Sequence, residues 1–123
     1  MKISCGTDII EIARIKKCCE RDTFLKRVYS EKELALFLHK KNPWESLAGN
    51  WAAKESFSKC LKTGIRNFEL HEVSCLRDEL GCPYFEFSGS ALEIVERMGI
   101  EFSVSISHTK EYATAMVVCC SKE

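Results

Sequence analysis

The chain has no net charge, no long apolar run and no paired-cysteine metal motif, and the last two absences each argue against a class of protein. Lysine plus arginine equals aspartate plus glutamate at 18 each, so overall charge argues neither for nor against a nucleic-acid partner. No hydrophobic stretch is long enough to span a bilayer. The start, "MKISCGTDII", lacks the basic segment, extended apolar core and cleavage site of a signal peptide. Eight cysteines are present, at positions 5, 18, 19, 60, 75, 82, 119 and 120, yet no C-x-x-C occurs among them. That spacing disfavours a zinc site. Without an export signal the cysteines are expected to be reduced thiols, mostly small core residues, in a cytoplasmic protein. No linker, repeat or low-complexity segment interrupts the chain, so a single domain over 1–123 is expected.

What is present suits a packed globule: 46% hydrophobic and 29% charged residues in 123. "KISCGTDIIEI" reads as a β-strand, β-branched and apolar. It contains one anomaly. Asp8 stands among Ile9, Ile10, Ile12 and Ile15, and a lone carboxylate is costly to bury without a partner or a metal. A helix is expected from about Ala13, placing Arg14, Lys17 and Arg21 at i, i+3 and i+7 on one face. With Lys16, Lys26 and Arg27 they form a basic patch in a neutral chain, which points to an acidic partner. Ser30 and Glu33 carry the capping-box spacing that opens the next helix. Asn42 and Pro43 read as N-cap and first residue of a longer one, with Gly64 as its stop.

The second half changes period. "FELHEVSCLRD" and "PYFEFS" read as a hairpin around "DELGCP", and "SALEIVERMG" as a short amphipathic helix ending at Gly99. "EFSVSISHT" alternates, with Phe102, Val104 and Ile106 on one face and serines on the other. "EYATAMVVCC" follows after a short link and should pair with it. The class is α+β with a largely antiparallel sheet.

The long helix places Ala53, Phe57, Cys60 and Leu61 on an apolar side and Glu55, Ser58, Lys59 and Lys62 on a polar one. A carboxylate one turn from a lysine and beside a hydroxyl suits a metal and a phosphate in sequence. A Glu55–Lys59 surface ion pair explains the spacing equally well. Asp8 and Glu55 together would suffice for magnesium, which takes one or two carboxylates plus phosphate and water. Asp8 capping a turn is the other option. His108 and Thr109 stand where a strand leaves the sheet, a position for ligand contacts or simply for a turn. Two further function classes fit the same residues: a metal-dependent phosphohydrolase, and a non-catalytic module that binds an acidic helix through residues 14–27.

Three segments considered together narrow this choice. "GTDIIEIARI", with its G-x-D-x-x-x-I-x-R-I spacing, "LAGNWAAKESFSKCLKTGI" and "SISHTKEYATAMVV" resemble, in order and spacing, the signatures of the bacterial holo-[acyl-carrier-protein] synthase family, the small phosphopantetheinyl transferases. "YSEKELALF" and "LGCPYFEFSGSALEIVERMGI" add to the match, which runs from Ile3 to about Val118. The resemblance implies the phosphopantetheinyl transferase fold. It implies transfer of 4′-phosphopantetheine from coenzyme A to a serine of acyl carrier protein, releasing adenosine 3′,5′-bisphosphate and serving fatty acid biosynthesis. It makes Asp8 and Glu55 the magnesium ligands and Lys59 a phosphate contact, these three being the catalytic set. Lys62, Gly64, His108 and Thr109 would lie along coenzyme A, and Arg14, Lys17 and Arg21 would meet the carrier protein. A homotrimer is implied, with neither nucleic acid nor membrane as partner. The chain departs from the family twice. Asn50 stands before "WAAKE" where arginine is usual, which removes a guanidinium from a nucleotide-phosphate contact. Lys62 replaces the first glycine of the usual "LGTG", which adds a positive charge near the helix end.

Overall fold

The computed structural model describes residues 2–62 and 67–121. The expected α+β class is observed. The chain begins with β1 (Ile3–Glu11), followed by α1 (Ile12–Cys18), α2 (Asp22–Val28), α3 (Glu31–Phe37) and the long α4 (Trp44–Leu61). A 3-10 turn (Leu70–Glu72) leads into the hairpin β2 (Val73–Arg77) and β3 (Pro83–Phe87), and then come α5 (Gly89–Met98), β4 (Ile100–His108) and β5 (Tyr112–Ser121). Two antiparallel sheets result: β1-β5-β4, with the central β5 pairing along its length with both neighbours, and β2-β3.

Helix α4 lies against the larger sheet, and the strand alternation decides what it covers. Ser4, Gly6, Asp8 and Ile10 of β1 are at least partly covered, while Ile3, Cys5, Thr7 and Ile9 between them are exposed. Phe57 sits at the centre of the core, its ring in contact with Phe68, Phe85, Phe87 and Phe102. The aromatic side chains thereby join both sheets to one helix. The cysteines are all free thiols. Burial pushes Cys75 up to about 11, and burial with the neighbouring Cys119 thiol pushes Cys60 up to about 12, as suits thiols that fill space.

Three local expectations are corrected. Helix α1 stops at Cys18, so Arg21 is not on the face of Arg14 and Lys17; it stands before α2, with all three exposed. The vicinal Cys18–Cys19 pair ends the helix, with the Cys19 N–H bonding back to Ile15 O. Helix α4 begins one residue late: Pro43 takes the N-cap position and no side chain caps it, so Asn42 does not serve. The helix also ends early. Lys62, at φ 55°, adopts the left-handed conformation that closes a helix, an unusual choice for a residue with a Cβ; Gly64, the expected stop, lies outside the described residues. The two faces expected of α4 are observed, with Ala53, Phe57, Cys60 and Leu61 buried and Glu55, Ser58, Lys59 and Lys62 not, although Asn50, Lys54 and Ser56 are fully buried as well.

Asn50 and Lys54 belong to one buried polar network. Lys54 Nζ donates to Glu33 Oε1 at 2.5 Å, to Val28 O at 2.6 Å and to Leu70 O at 3.0 Å, which uses all three of its protons. Glu33 Oε1 also accepts from Ser30 N, completing the expected capping box, and Oε2 accepts from Asn50 Nδ2 at 2.7 Å and from Cys75 N. Asn50 Oδ1 in turn accepts from Arg77 at 2.8 Å. Burial pulls the Lys54 pKa down, and the Glu33 carboxylate acts against that shift. Removing one partner would leave the other charge buried and alone. Lys54→Met is therefore expected to destabilise the fold by about 3–5 kcal/mol, measured by denaturant unfolding. Adding Glu33→Gln should recover part of the loss; a double variant as unstable as the sum of the two singles would contradict a shared ion pair.

Candidate active site

The site is built where β1 and α4 touch. Gly6 makes that contact possible. A Cβ at this position would lie 2.2 Å from Ser56 O and 2.9 Å from both Cys60 N and Lys59 Cβ, so only hydrogen fits. Ser4 Oγ donates to Cys60 O at 2.6 Å, and Ser56 Oγ donates to Ala115 O at 3.1 Å, tying the helix to the sheet on both sides of that glycine. Asp8 lies one inward position further along β1. Its carboxylate faces α4, and Lys59 Nζ reaches Asp8 Oδ1 at 3.3 Å and Thr7 O at 2.9 Å. Thr114 Oγ1 donates to Asp8 O at 2.8 Å and fixes the strand from the other side. The anomalous carboxylate is thus partnered by an ammonium group across the strand–helix contact.

Asp8 and Glu55 line one cleft of about 400 Å³, together with Arg14, Ile15, Phe24 and Trp51. Phe24 stacks on Trp51 with ring centroids 5.8 Å apart, giving the cleft a firm apolar wall beside its two carboxylates. The donor set fits a hard divalent cation: two carboxylates from different elements, with cleft volume left for phosphate and water oxygens. Arg14, at the cleft edge, adds a fixed positive charge for an anionic ligand.

The remaining expected site residues are distributed differently. Ser58 does not join the cleft chemistry, because its hydroxyl donates to Lys54 O within the helix. Lys62 is exposed at the end of α4. His108 is not near Asp8: its strand lies two strands from β1, about 10 Å by the usual strand spacing. His108 Nδ1 instead meets Glu45 Oε2 at 2.8 Å at the start of α4. Thr109 shapes the β4–β5 turn, where its Oγ1 accepts from Glu111 N and Tyr112 N and its N–H donates to Tyr112 O at 2.8 Å. Asn50, the departure from the arginine pattern, points into the core network rather than toward a nucleotide.

Sequence reasoning missed Phe24 and Trp51 as cleft walls, Glu45 as the partner of His108, and Lys54 as a buried cation. Asn50 and Lys54 stand four apart on one helix, and Glu33 lies on the preceding helix. That polar spacing was the available signal.

The model of the 4′-phosphopantetheinyl transferase superfamily matches residues 4–117, and the chain belongs to that superfamily. Among relatives, the holo-[acyl-carrier-protein] synthase of Caldanaerobacter subterraneus subsp. tengcongensis is 45% identical over 100% of this chain and 98% of its own. The crystal structure of the Neisseria meningitidis holo-[acyl-carrier-protein] synthase superimposes with a TM-score of 0.87 at 31% identity, covering 96% of this chain and 98% of that one. The Helicobacter pylori enzyme of the same name, solved in complex with coenzyme A, gives 0.81 at 34% identity, covering 94% and 99%.

Because Gly6 sets how closely β1 approaches α4, Gly6→Ala should force the two apart and separate Asp8 from Lys59. The expected cost is about 1–3 kcal/mol of stability. Turnover of the folded fraction should fall further than that loss explains. Wild-type stability and turnover in this variant would show that the close approach is dispensable.

Proposed function

We propose that the cleft of Asp8 and Glu55 transfers 4′-phosphopantetheine from coenzyme A to a serine of apo acyl carrier protein, leaving adenosine 3′,5′-bisphosphate. The single domain spans the whole chain. The observation that carries this reading is the convergence of two carboxylates and an ammonium group at one strand–helix contact, in a member of this superfamily. Asp8 and Glu55 would hold a magnesium ion. When bound, that ion neutralises pyrophosphate charge and stabilises the leaving phosphate. Lys59, already beside Asp8, contacts the same phosphates. Lys62, exposed at the end of α4, meets the ligand there, and His108 and Thr109 meet the nucleotide. Glu55, with its carboxylate in the cleft, is one candidate to take the proton of the attacking serine. Most of the rate comes from holding these groups in place before the substrates arrive.

The acceptor docks on the exposed basic side chains of Arg14, Lys17 and Arg21. Arg14 joins this surface to the cleft, which supports delivery of the serine from that direction. Eight free thiols suit a cytoplasmic enzyme. Among the described residues no helix is long and apolar enough to cross a membrane.

A transfer assay with coenzyme A, magnesium and apo carrier protein tests the reading. Asp8→Asn and Glu55→Gln are each expected to lower turnover on the order of a hundredfold or more, the scale of metal-borne charge stabilisation, with unchanged circular dichroism. Arg14→Glu with Arg21→Glu should raise the KM for carrier about tenfold, less so in high salt, and leave that for coenzyme A nearly unaltered. Near wild-type turnover in both carboxylate variants would sink the assignment, and hydrolysis of coenzyme A without carrier would point to a phosphohydrolase.

The active form is a homotrimer in this reading, with each cleft completed by His108 of a neighbour. Two features support it. His108 lies two strands away from its own chain's Asp8. The sheet face opposite α4 leaves Ile3 70%, Ile9 64% and Met116 48% exposed, which is unusual for a lone sheet. Co-refolding Asp8→Asn with His108→Ala should then give more activity than either parent, since some mixed sites hold two intact contributions. A stable, active monomer by sizing would overturn the trimer, and a trimer that mixing does not rescue would place His108 outside the shared site.

A further inference from the structure

Two cations stand together away from the cleft, and neither has a counter-charge. Arg77, the last residue of β2, lays its guanidinium 5.2 Å from the centre of the Phe37 ring, and Lys40 Nζ lies 5.1 Å from the centre of the same ring. Among the described residues no carboxylate pairs with either cation. The neighbouring acids are engaged elsewhere. Asp78 accepts from Leu80 N and Cys82 N in its own turn, and Glu33 accepts from Lys54. Like charges gathered on one ring repel, and an anion bound by both relieves that repulsion.

The guanidinium is aimed, and part of its donor set is unused. Nη1 donates to Leu76 O at 3.2 Å and Nη2 to Asn50 Oδ1 at 2.8 Å. The Nε–H and one Nη2–H find no acceptor among the described residues. Asn50 is fully buried and cannot turn, because its Nδ2 donates to Glu33 Oε2 and to Cys75 O. A guanidinium therefore stands beside position 50 although the residue there is asparagine; it comes from β2 instead of α4. A half-buried arginine held by a buried amide and lacking an acid suits an oxyanion, which its fork of donors matches.

Its place in the fold selects the anion. Gly49 approaches Ile106 of β4, and Glu45, one turn earlier, meets His108. The first two turns of α4 thus have His108 on one side and Arg77 on the other, separated by about one helix width, roughly 10 Å. Coenzyme A carries a 3′-phosphomonoester besides its pyrophosphate. The proposed cleft provides for the pyrophosphate with Asp8, Glu55 and Lys59, and leaves the phosphomonoester without a cation. We infer that Arg77 and Lys40 bind the 3′-phosphate of coenzyme A, with Asn50 positioning Arg77, and so set a preference for coenzyme A over its 3′-dephospho form. This rests on the transferase reading and on His108 as a nucleotide contact; the subunit that supplies His108 supplies this pair.

The test compares coenzyme A with 3′-dephospho-coenzyme A as substrates of the full-length protein. Wild type, Arg77→Gln, Arg77→Lys and Lys40→Gln are assayed, with thermal unfolding as the folding control. In Arg77→Gln the KM for coenzyme A should rise about tenfold, the scale of hydrogen bonds to a charged group, while that for the dephospho form is unchanged. Arg77→Lys keeps the charge but loses the fork, and should fall between. Lys40→Gln, at an exposed position, should raise the KM for coenzyme A about threefold, the scale of an exposed charge, and less so in high salt. A second measurement needs no carrier protein. Calorimetric affinity for adenosine 3′,5′-bisphosphate should exceed that for adenosine 5′-monophosphate, and Arg77→Gln should remove most of the difference. A merely structural role for Arg77 would move both substrates alike. Equal use of the two substrates by the wild type, or a wild-type preference retained in folded Arg77→Gln, would overturn the inference. If Arg77→Gln fails to fold, an unaltered preference in Arg77→Lys and Lys40→Gln would do the same. Absence of any transfer by the wild type would instead overturn the functional reading, and the calorimetry would still decide whether Arg77 meets a 3′-phosphate.

Discussion

The ion pair between Lys54 and Glu33 ties α4 to α3, and the other protons of Lys54 tie it to α2 and the 3-10 turn. Lys54 projects from the middle of α4 into a space that α2, α3 and the 3-10 turn share, and its three protons go to one group on or next to each. Glu33 passes the connection on to Asn50 and to the backbone of β2. A buried charge that lacked any of these partners would be a liability. With every lone pair and proton used, the network permits one arrangement of the helices and excludes the neighbouring ones.

The consequence for chemistry lies on the next residue. Glu55 follows Lys54, so the rotation of α4 that places the ammonium group in the core also turns the following carboxylate toward the cleft. From the other side Gly6 lets β1 lie directly on α4, and Asp8 comes level with the helix at the same place. Two carboxylates would repel each other if nothing compensated. Lys59 beside Asp8 supplies a positive charge, and the proposed magnesium ion would supply more. In the proposed reading the core prepares, before any ligand binds, the electrostatic arrangement that pyrophosphate chemistry would need.

Much of this was legible in the residues. The strand around Asp8, the capping box at Ser30, the alternation of β4 and the stop at Gly99 all follow from local pattern, and all are observed. The family motifs singled out Asp8, Glu55 and Arg14, which line one cleft, but not Phe24 and Trp51. What local pattern could not show was long-range pairing. Glu33 reads as a cap because its capping role is local, while its bond to Lys54 joins residues 21 apart. The three acceptors around Lys54 likewise come from residues distant in the chain. Asn50 reads as a lost arginine in the nucleotide site, whereas Arg77 from another strand fixes it in the core. The helix boundaries failed for a related reason. Pro43 and Lys62 hold end positions that their local preferences do not select, because packing of α4 determines where it starts and stops.

The central claim is that Asp8 and Glu55 jointly hold a divalent cation against the coenzyme A pyrophosphate. Manganese prefers the same oxygen ligands as magnesium and scatters X-rays anomalously. A crystal grown with manganese and coenzyme A should show an anomalous peak within bonding distance of both carboxylates and of a pyrophosphate oxygen. Coenzyme A bound with no such peak, or with the metal held elsewhere, would contradict the account.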